Sequence, residues 1–114
     1  MHELAITQSV LDIAVGQAQR HGARRITAVN LVVGELTGYV PDSIQFYFDL
    51  LSRGTPAEAA ALNVRRVPTQ VRCRQCRAEF RPEEGVLWVC PACGGLGGDL
   101  LSGNELLVES IEVE

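Results

Sequence analysis

The chain has 114 residues, of which 46% are hydrophobic and 21% are charged, and its formal net charge is −4. This composition supports a core in one domain, or in one domain with a small metal-held module, and it excludes a disordered protein or a general nucleic-acid binder. The first twenty residues include His2, Glu3 and Asp12 where a signal peptide needs a basic start and an apolar run. No stretch approaches the ~18 apolar residues of a membrane span. We therefore expect a cytoplasmic protein without a membrane partner.

The first part of the chain predicts two helices that alternate with extended segments. An amphipathic pattern over residues 4–21 indicates the first helix, and Gly22 follows it where a left-handed backbone is needed. Residues 26–33 predict a largely buried strand. Pro41 opens a second helix that Gly54 ends. Residues 55–61 fit either a helical turn or a loop, and residues 62–72 look extended with a break at Pro68.

All four cysteines fall in two matched pairs that are separated by thirteen residues: Cys73, Cys76, Cys90 and Cys93. Two residues between thiolates let each short turn direct both sulfurs at one point. Two such turns supply the tetrahedral four-sulfur cage that Zn(II) prefers. An iron site of the same geometry and a pair of disulfides are the alternatives, and a reducing compartment favours metal over disulfides. The spacing predicts a structural zinc site.

The cysteine pairs lie within a predicted zinc ribbon, with short strands at residues 79–81 and 86–89 and a turn at 82–85. A ribbon this small has almost no core, so the metal must hold it. The glycines of residues 94–98 predict a flexible exit, and residues 105–113 predict a last strand with Leu107, Ile111 and Val113 on one side. The predicted class is α+β. A small sheet packed with two helices forms one domain from residues 1–70 and 101–114, and a zinc-ribbon domain from residues 71–100 is inserted in it.

The sequence offers few residues that could form a catalytic set. The only histidines are His2 and His21, and the cysteines are committed to one cage, so no Ser/His/Asp or Cys/His set is available. We therefore expect no enzyme. Residues 65–81 hold six arginines against one glutamate and could contact phosphates, but only Phe80 among them could stack on a base. A zinc-ribbon nucleic-acid-binding module is the alternative function.

The start of the chain offers a different kind of metal site. In Met1-His2-Glu3, a free α-amine, backbone nitrogens and an imidazole lie within two residues, so a bound metal closes small chelate rings. Such a nitrogen-rich planar site suits Ni(II) or Cu(II) and requires deprotonation of its ligands. A disordered terminus is the alternative interpretation of a histidine at this position.

Several spaced elements follow one another along the chain: Met1-His2-Glu3-Leu4, Gly34-Glu35-Leu36, the two cysteine pairs, Gly103-Asn104-Glu105-Leu106 and Ser110-Ile111-Glu112-Val113. Together they resemble the HypA/HybF family of hydrogenase nickel-insertion accessory proteins. The resemblance covers essentially the whole chain. It implies a nickel metallochaperone that delivers Ni(II) during maturation of NiFe hydrogenase and keeps a separate structural Zn(II).

The resemblance also implies ligands and partners. It places transferable nickel at the Met1 amine, the His2 side chain and nearby backbone amides, with Glu3 as a ligand or an adjacent group, and zinc at the four cysteines. The implied partners are a nickel-handling GTPase accessory protein and the large subunit of a NiFe hydrogenase. Some members also serve urease. No nucleic acid is expected, and the hypothesis includes a weak homodimer. Some archaeal members have an extra histidine ligand where this chain has Gly97-Gly98-Asp99.

Overall fold

Two helices and two small sheets form the fold of the computed structural model, which describes residues 2–83 and 87–114. In chain order the elements are α1 His2–Arg20, β1 Ile26–Gly34, a 3-10 turn Glu35–Thr37, α2 Pro41–Leu51, β2 Ala61–Val67, β3 Gln70–Arg72, β4 Glu79–Phe80, β5 Asp99–Ser102 and β6 Leu106–Val113. The predicted α+β class is confirmed. Within the described ranges, no helix combines the length and apolarity needed to cross a membrane.

The first sheet has the strand order β2-β1-β6, and both helices pack on one of its faces. We call it the helix-backed sheet. β1 is parallel to β2 and antiparallel to β6. Parallel neighbours need a crossover connection, and α2 lies in the link between β1 and β2. The buried core between helices and sheet includes Val10, Ala14, Val29, Leu31, Ile44 and Phe48.

Local sequence explains the helix ends. Gly22 has φ +67°, and the Ala23 N–H donates to the Ala18 carbonyl at 2.9 Å, so the predicted left-handed end of α1 is confirmed. Pro41 opens α2 as predicted. α2 ends at Leu51, before the predicted stop at Gly54. Of residues 55–61, for which the sequence allowed a helical turn or a loop, residues 55–60 form a turn-containing loop and Ala61 begins β2.

A bulge interrupts the pairing of β6 with β1. Ser110 pairs with Asn30 and Val108 with Leu31, so Glu109 is an extra residue between them. An extra residue shifts the alternation of the strand, and side chains on either side of it come to share a face.

The shifted alternation decides which residues of β6 enter the core. Leu106, Val108 and Ile111 pack against it, whereas Leu107 and Val113 are exposed. The prediction that Leu107, Ile111 and Val113 share one side is therefore wrong for Leu107, because it assumed unbroken alternation through Glu109, whereas Ile111 and Val113 line the same groove.

The second sheet has the order β4-β3-β5, and we call it the cysteine-bearing sheet. Among the described residues, its buried cluster contains Val71, Cys73, Phe80 and Cys90. Of the strand predicted at 86–89, Val86 lies outside the described residues, as do Glu84 and Gly85 of the predicted turn. Val89 forms a single bridge to Leu96, and residues 87–88 are not in a strand.

The glycine-rich exit leads into a strand that the sequence did not predict. β5 pairs with β3, and Gly98 just before it is buried. A Cβ built on Gly98 would lie 2.5 Å from the Val71 side chain and 2.7 Å from the Arg72 carbonyl oxygen. Gly98 therefore permits a close approach of two chain segments, and the prediction of a flexible exit missed this packing.

Candidate metal centre

The four cysteine sulfurs converge at one end of the cysteine-bearing sheet, and all lie within 4.8 Å of one another. The Cys73 and Cys93 Sγ atoms are 3.6 Å apart, and those of Cys76 and Cys90 are 3.5 Å apart. Sulfurs bound tetrahedrally at ~2.3 Å from one zinc ion would be about 3.8 Å apart, whereas a disulfide requires about 2.05 Å. The four donors fit one metal ion, and they are not arranged as disulfides.

The two cysteine turns repeat the same backbone hydrogen bonds. In each turn the N–H of the first cysteine donates to the carbonyl five residues later, and its carbonyl accepts from the N–H four residues later. All four bonds are 2.8 to 2.9 Å long. The residue that directly follows the second cysteine of each pair has a positive φ, which is +65° at Arg77 and +74° at Gly94. Glycine adopts this conformation without steric cost, whereas Arg77 adopts it in spite of its Cβ.

Burial and local donors distinguish the four thiols. Cys73 and Cys90 are buried, while Cys76 and Cys93 are exposed. Backbone N–H groups of Cys76 and Gln75 lower the pKa of the Cys73 thiol to about 6. Although the Gly95 N–H acts in the lowering direction, the Cys73 and Cys76 sulfurs raise the pKa of Cys93 to about 12. Cys73 is therefore the more readily ionised of these two thiols near neutral pH, and a metal that binds Cys93 must displace its proton.

Four protein sulfurs around one ion complete a tetrahedral set. Such a closed site leaves no position for a substrate, unlike catalytic sites that keep one ligand position open. The cysteine cluster therefore has the donor set of a structural metal site.

Acidic partners neutralise much of the basic stretch that raised the nucleic-acid alternative. Four of its arginines form ion pairs with carboxylates at 2.8 to 3.6 Å: Arg65 with Glu109, Arg72 with Glu79, Arg74 with Asp99 and Arg81 with Glu35. Exposed pairs of this kind add little stability, but they occupy the charges that a phosphate backbone would need. The nucleic-acid alternative is not favoured.

The predicted terminal site lies at the start of α1. Met1 lies outside the described residues, and for His2 only its backbone place in α1 is described. The Glu3 carboxylate accepts a hydrogen bond from the Val40 N–H at 3.4 Å, beside the start of α2. The backbone N–H groups of Glu3 and Val40 lower the pKa of the Glu3 carboxyl. This contact joins residues 37 positions apart, and no sequence signal pointed to Val40.

A small α+β fold with a closed four-sulfur site, and with a carboxylate held at the start of its first helix, indicates a metal-binding protein rather than a nucleic-acid module. Residues 1–113 match the family described as HypA, hydrogenase/urease nickel incorporation, metallochaperone. The chain belongs to the HypA family and is a hydrogenase nickel-incorporation metallochaperone, as the spaced sequence elements predicted.

Similar proteins span the full length of the chain. It is 49% identical over 114 residues to the hydrogenase maturation factor HypA of Geotalea uraniireducens, with all of both chains covered. It is 44% identical to the protein of that name from Dehalococcoides mccartyi, over 100% of this chain and 95% of the relative. The solution structure of the Ni metallochaperone HypA from Helicobacter pylori matches with a TM-score of 0.66 at 20% identity, over 97% of this chain and 96% of that chain. Another HypA solution structure matches with a TM-score of 0.73 at 22% identity, over 100% and 97%. At these identities the structures show a shared fold.

Proposed function

We propose that this chain holds Ni(II) at the Met1 amine and the His2 imidazole, with Glu3 as a ligand or adjacent carboxylate, and passes it by ligand exchange to the large subunit of a NiFe hydrogenase. A nickel-handling GTPase accessory protein is the proposed second partner. The observation that carries the proposal is that the family match begins at residue 1, so the terminal Met1-His2-Glu3 sequence belongs to the matched region.

The chemistry of the terminus supports nickel as the cargo. The amine and imidazole are nitrogen donors, and the first turn of a helix adds backbone N–H groups that have no partner within the helix. Nitrogen-rich sets suit Ni(II) and Cu(II) better than Mg(II) or Ca(II). The ionised Glu3 carboxylate offsets the charge of a bound cation. Copper binds such sites more tightly than nickel, so the choice of nickel depends on metal supply and on the partner.

Zinc is the metal we propose for Cys73, Cys76, Cys90 and Cys93. The sulfur separations match a tetrahedral Zn(II) site, and the two turns present their sulfurs through the same hydrogen bonds. Bound zinc would supply the cross-link that the small buried cluster of the cysteine-bearing sheet cannot supply alone. The proposal keeps the division into a nickel-binding domain, residues 1–70 and 101–114, and a zinc-ribbon domain, residues 71–100.

This function requires the protein to bind and transfer a metal ion, and it requires no chemical conversion. Ligand exchange moves the ion without making or breaking a covalent bond of the chain, so we propose that the protein is not an enzyme. We place it in the cytoplasm, where thiols stay reduced and available for metal. A weak homodimer remains part of the hypothesis.

Hydrogenase maturation in cells whose own homologue is deleted tests the proposal. The parent chain and Gln8→Ala, changed at an exposed position of the same helix, should restore the nickel content of the hydrogenase large subunit. His2→Ala should restore little of it at low external nickel. Full restoration by His2→Ala, at equal protein level, would contradict the proposed site.

A further inference from the structure

The outer edge of β6 is open. β6 is the last strand in the order β2-β1-β6, and no strand in the described part of the chain pairs with its other side. Alternate residues of an edge strand direct their N–H and C=O groups outward, where another extended chain can pair with them. β6 has eight residues, more than the mean strand of about 5–6. The edge is long enough to accept a further strand.

An apolar groove of about 350 Å³ lies between this edge and α1. Ala18, Val108 and Ile111 line the groove, and Ile13 and Val113 lie on its more exposed side, with exposures of 52% and 44%. The bulge at β6 turns Val108 and Ile111 to the same face. A strand added to β6 would direct every second side chain towards this groove.

Charge on β6 limits what can pair with it. Residues 105–114 contain Glu105, Glu109, Glu112 and Glu114 and no basic residue. Arg65 pairs with Glu109, which leaves the segment with an excess of negative charge. A second copy of this chain would bring acidic strands together, and like charges opposite each other destabilise a strand pair. Basic side chains on the incoming segment would instead form favourable pairs.

We propose that the β6 edge and the adjoining groove bind an extended segment of a partner protein in which apolar residues alternate with lysine or arginine. The segment would add a fourth strand to the helix-backed sheet. Charged residues on natural edge strands prevent indiscriminate pairing. Because those on β6 are all acidic, they select against acidic segments and self-pairing while admitting a basic strand.

The position of this surface suits a delivery protein. Ile13 lies roughly 16 Å along α1 from His2, since a helix rises 1.5 Å per residue. A docked partner would therefore leave the terminus accessible for nickel transfer. Only this statement rests on the proposed nickel site, because strand docking itself needs no nickel.

The test uses the full zinc-loaded chain without nickel and the end-blocked peptide Lys-Val-Arg-Val-Lys-Ile-Arg. Amide NMR should show shifts confined to residues 106–113 and the adjoining face of α1, with slower hydrogen exchange on β6. A charge-reversed peptide, Glu-Val-Asp-Val-Glu-Ile-Glu, should bind at least tenfold more weakly. The basic peptide methylated on alternate backbone nitrogens should also lose binding. It keeps its charge but lacks the N–H groups along one side, which would donate hydrogen bonds to β6.

A pair of variants tests the groove separately. Ile13→Asn should weaken binding of the basic peptide by about tenfold, the loss expected for an exposed apolar contact that becomes buried on binding. Leu50→Asn, at a similar exposure of 48% on α2, should leave the affinity unchanged. Equal binding of the methylated peptide, equal affinity of both variants or shifts elsewhere on the chain would overturn the proposal. So would protection of β6 that rises with protein concentration in the absence of peptide, since the occupant would then be a second copy.

Discussion

Gly34 packs directly against the backbone carbonyl of Gly103, where the end of β1 meets the chain that returns from the cysteine-bearing sheet. A Cβ built on Gly34 would lie 2.1 Å from the Gly103 oxygen. The same oxygen accepts the Leu36 N–H at 2.7 Å, and the Gly34 N–H donates to the Glu105 carbonyl at 2.7 Å. These contacts join the Gly34-Glu35-Leu36 and Gly103-Asn104-Glu105-Leu106 elements, which the sequence showed only as separate motifs.

Adding a methyl group at this contact should destabilise the fold. Gly34→Ala cannot be accommodated without backbone movement, so we expect a loss of about 2 kcal/mol or more in the free energy of unfolding. Gly16→Ala is the matched control, because it meets no atom within 4 Å and lies inside α1. It should stabilise the protein by up to about 1 kcal/mol through helix propensity. Urea unfolding measures both, and an unchanged Gly34→Ala would contradict the described packing.

Two phenylalanines of α2 should respond very differently to truncation. Phe48 is 1% exposed in the main core, whereas Phe46 is 63% exposed. Phe48→Ala should cost about 3–5 kcal/mol because it leaves a cavity. Phe46→Ala, on the same helix, should cost under about 1 kcal/mol. Thermal unfolding of the two variants provides the comparison, and similar losses would show that the helix is rotated from the position described.

Metal removal should affect the two sheets unequally. Trp88 is the only tryptophan and packs against the cluster formed by Val71, Cys73, Phe80 and Cys90. Chelation of zinc should shift its fluorescence towards that of exposed tryptophan, because coordination supplies most of the stability of this cluster. The far-ultraviolet circular dichroism of α1 and α2 should change little, since their core is a separate cluster. Cooperative loss of both signals at the same chelator concentration would contradict this independence.

Nickel affinity should increase with pH. The amine and imidazole must give up protons before they bind metal, so each displaced proton adds up to tenfold in affinity per pH unit while that group is protonated. Competition with a nickel-sensitive dye from pH 6 to pH 8 measures the slope. A pH-independent affinity would point to carboxylate ligands in place of nitrogen ligands.

The regular elements were predictable because their signals are local. Apolar periodicity identified α1 and α2, and a run of β-branched and apolar residues identified β1. Gly22 and Pro41 marked helix boundaries that the structure confirms. β5 was missed because the glycines before it resemble a flexible linker, while the need for Gly98 arises from Val71 and Arg72, which are distant in sequence. Which side chains of β6 face the core depends on the bulge in its pairing with β1, and the sequence of β6 alone does not show that bulge.

The candidate sites also combine features that the local sequence predicts with features that only the tertiary structure shows. Cysteine spacing predicted the convergence of four sulfurs because each Cys-x-x-Cys turn carries its own geometry. The left-handed conformation of Arg77 has no comparable signal in the sequence. The Glu3 contact with Val40 also required the tertiary structure, since it depends on how α1 packs beside the start of α2.

The proposed function requires two different metals at two different sites. Zinc-loaded, untagged protein should bind one further equivalent of nickel in a calorimetric titration and retain its zinc. His2→Ala should lose this binding, whereas His21→Ala, which changes the only other histidine, should retain it. Equal nickel affinity in the parent chain and His2→Ala, or release of one zinc for each nickel bound, would contradict the assignment of nickel to the terminus and zinc to the cysteines.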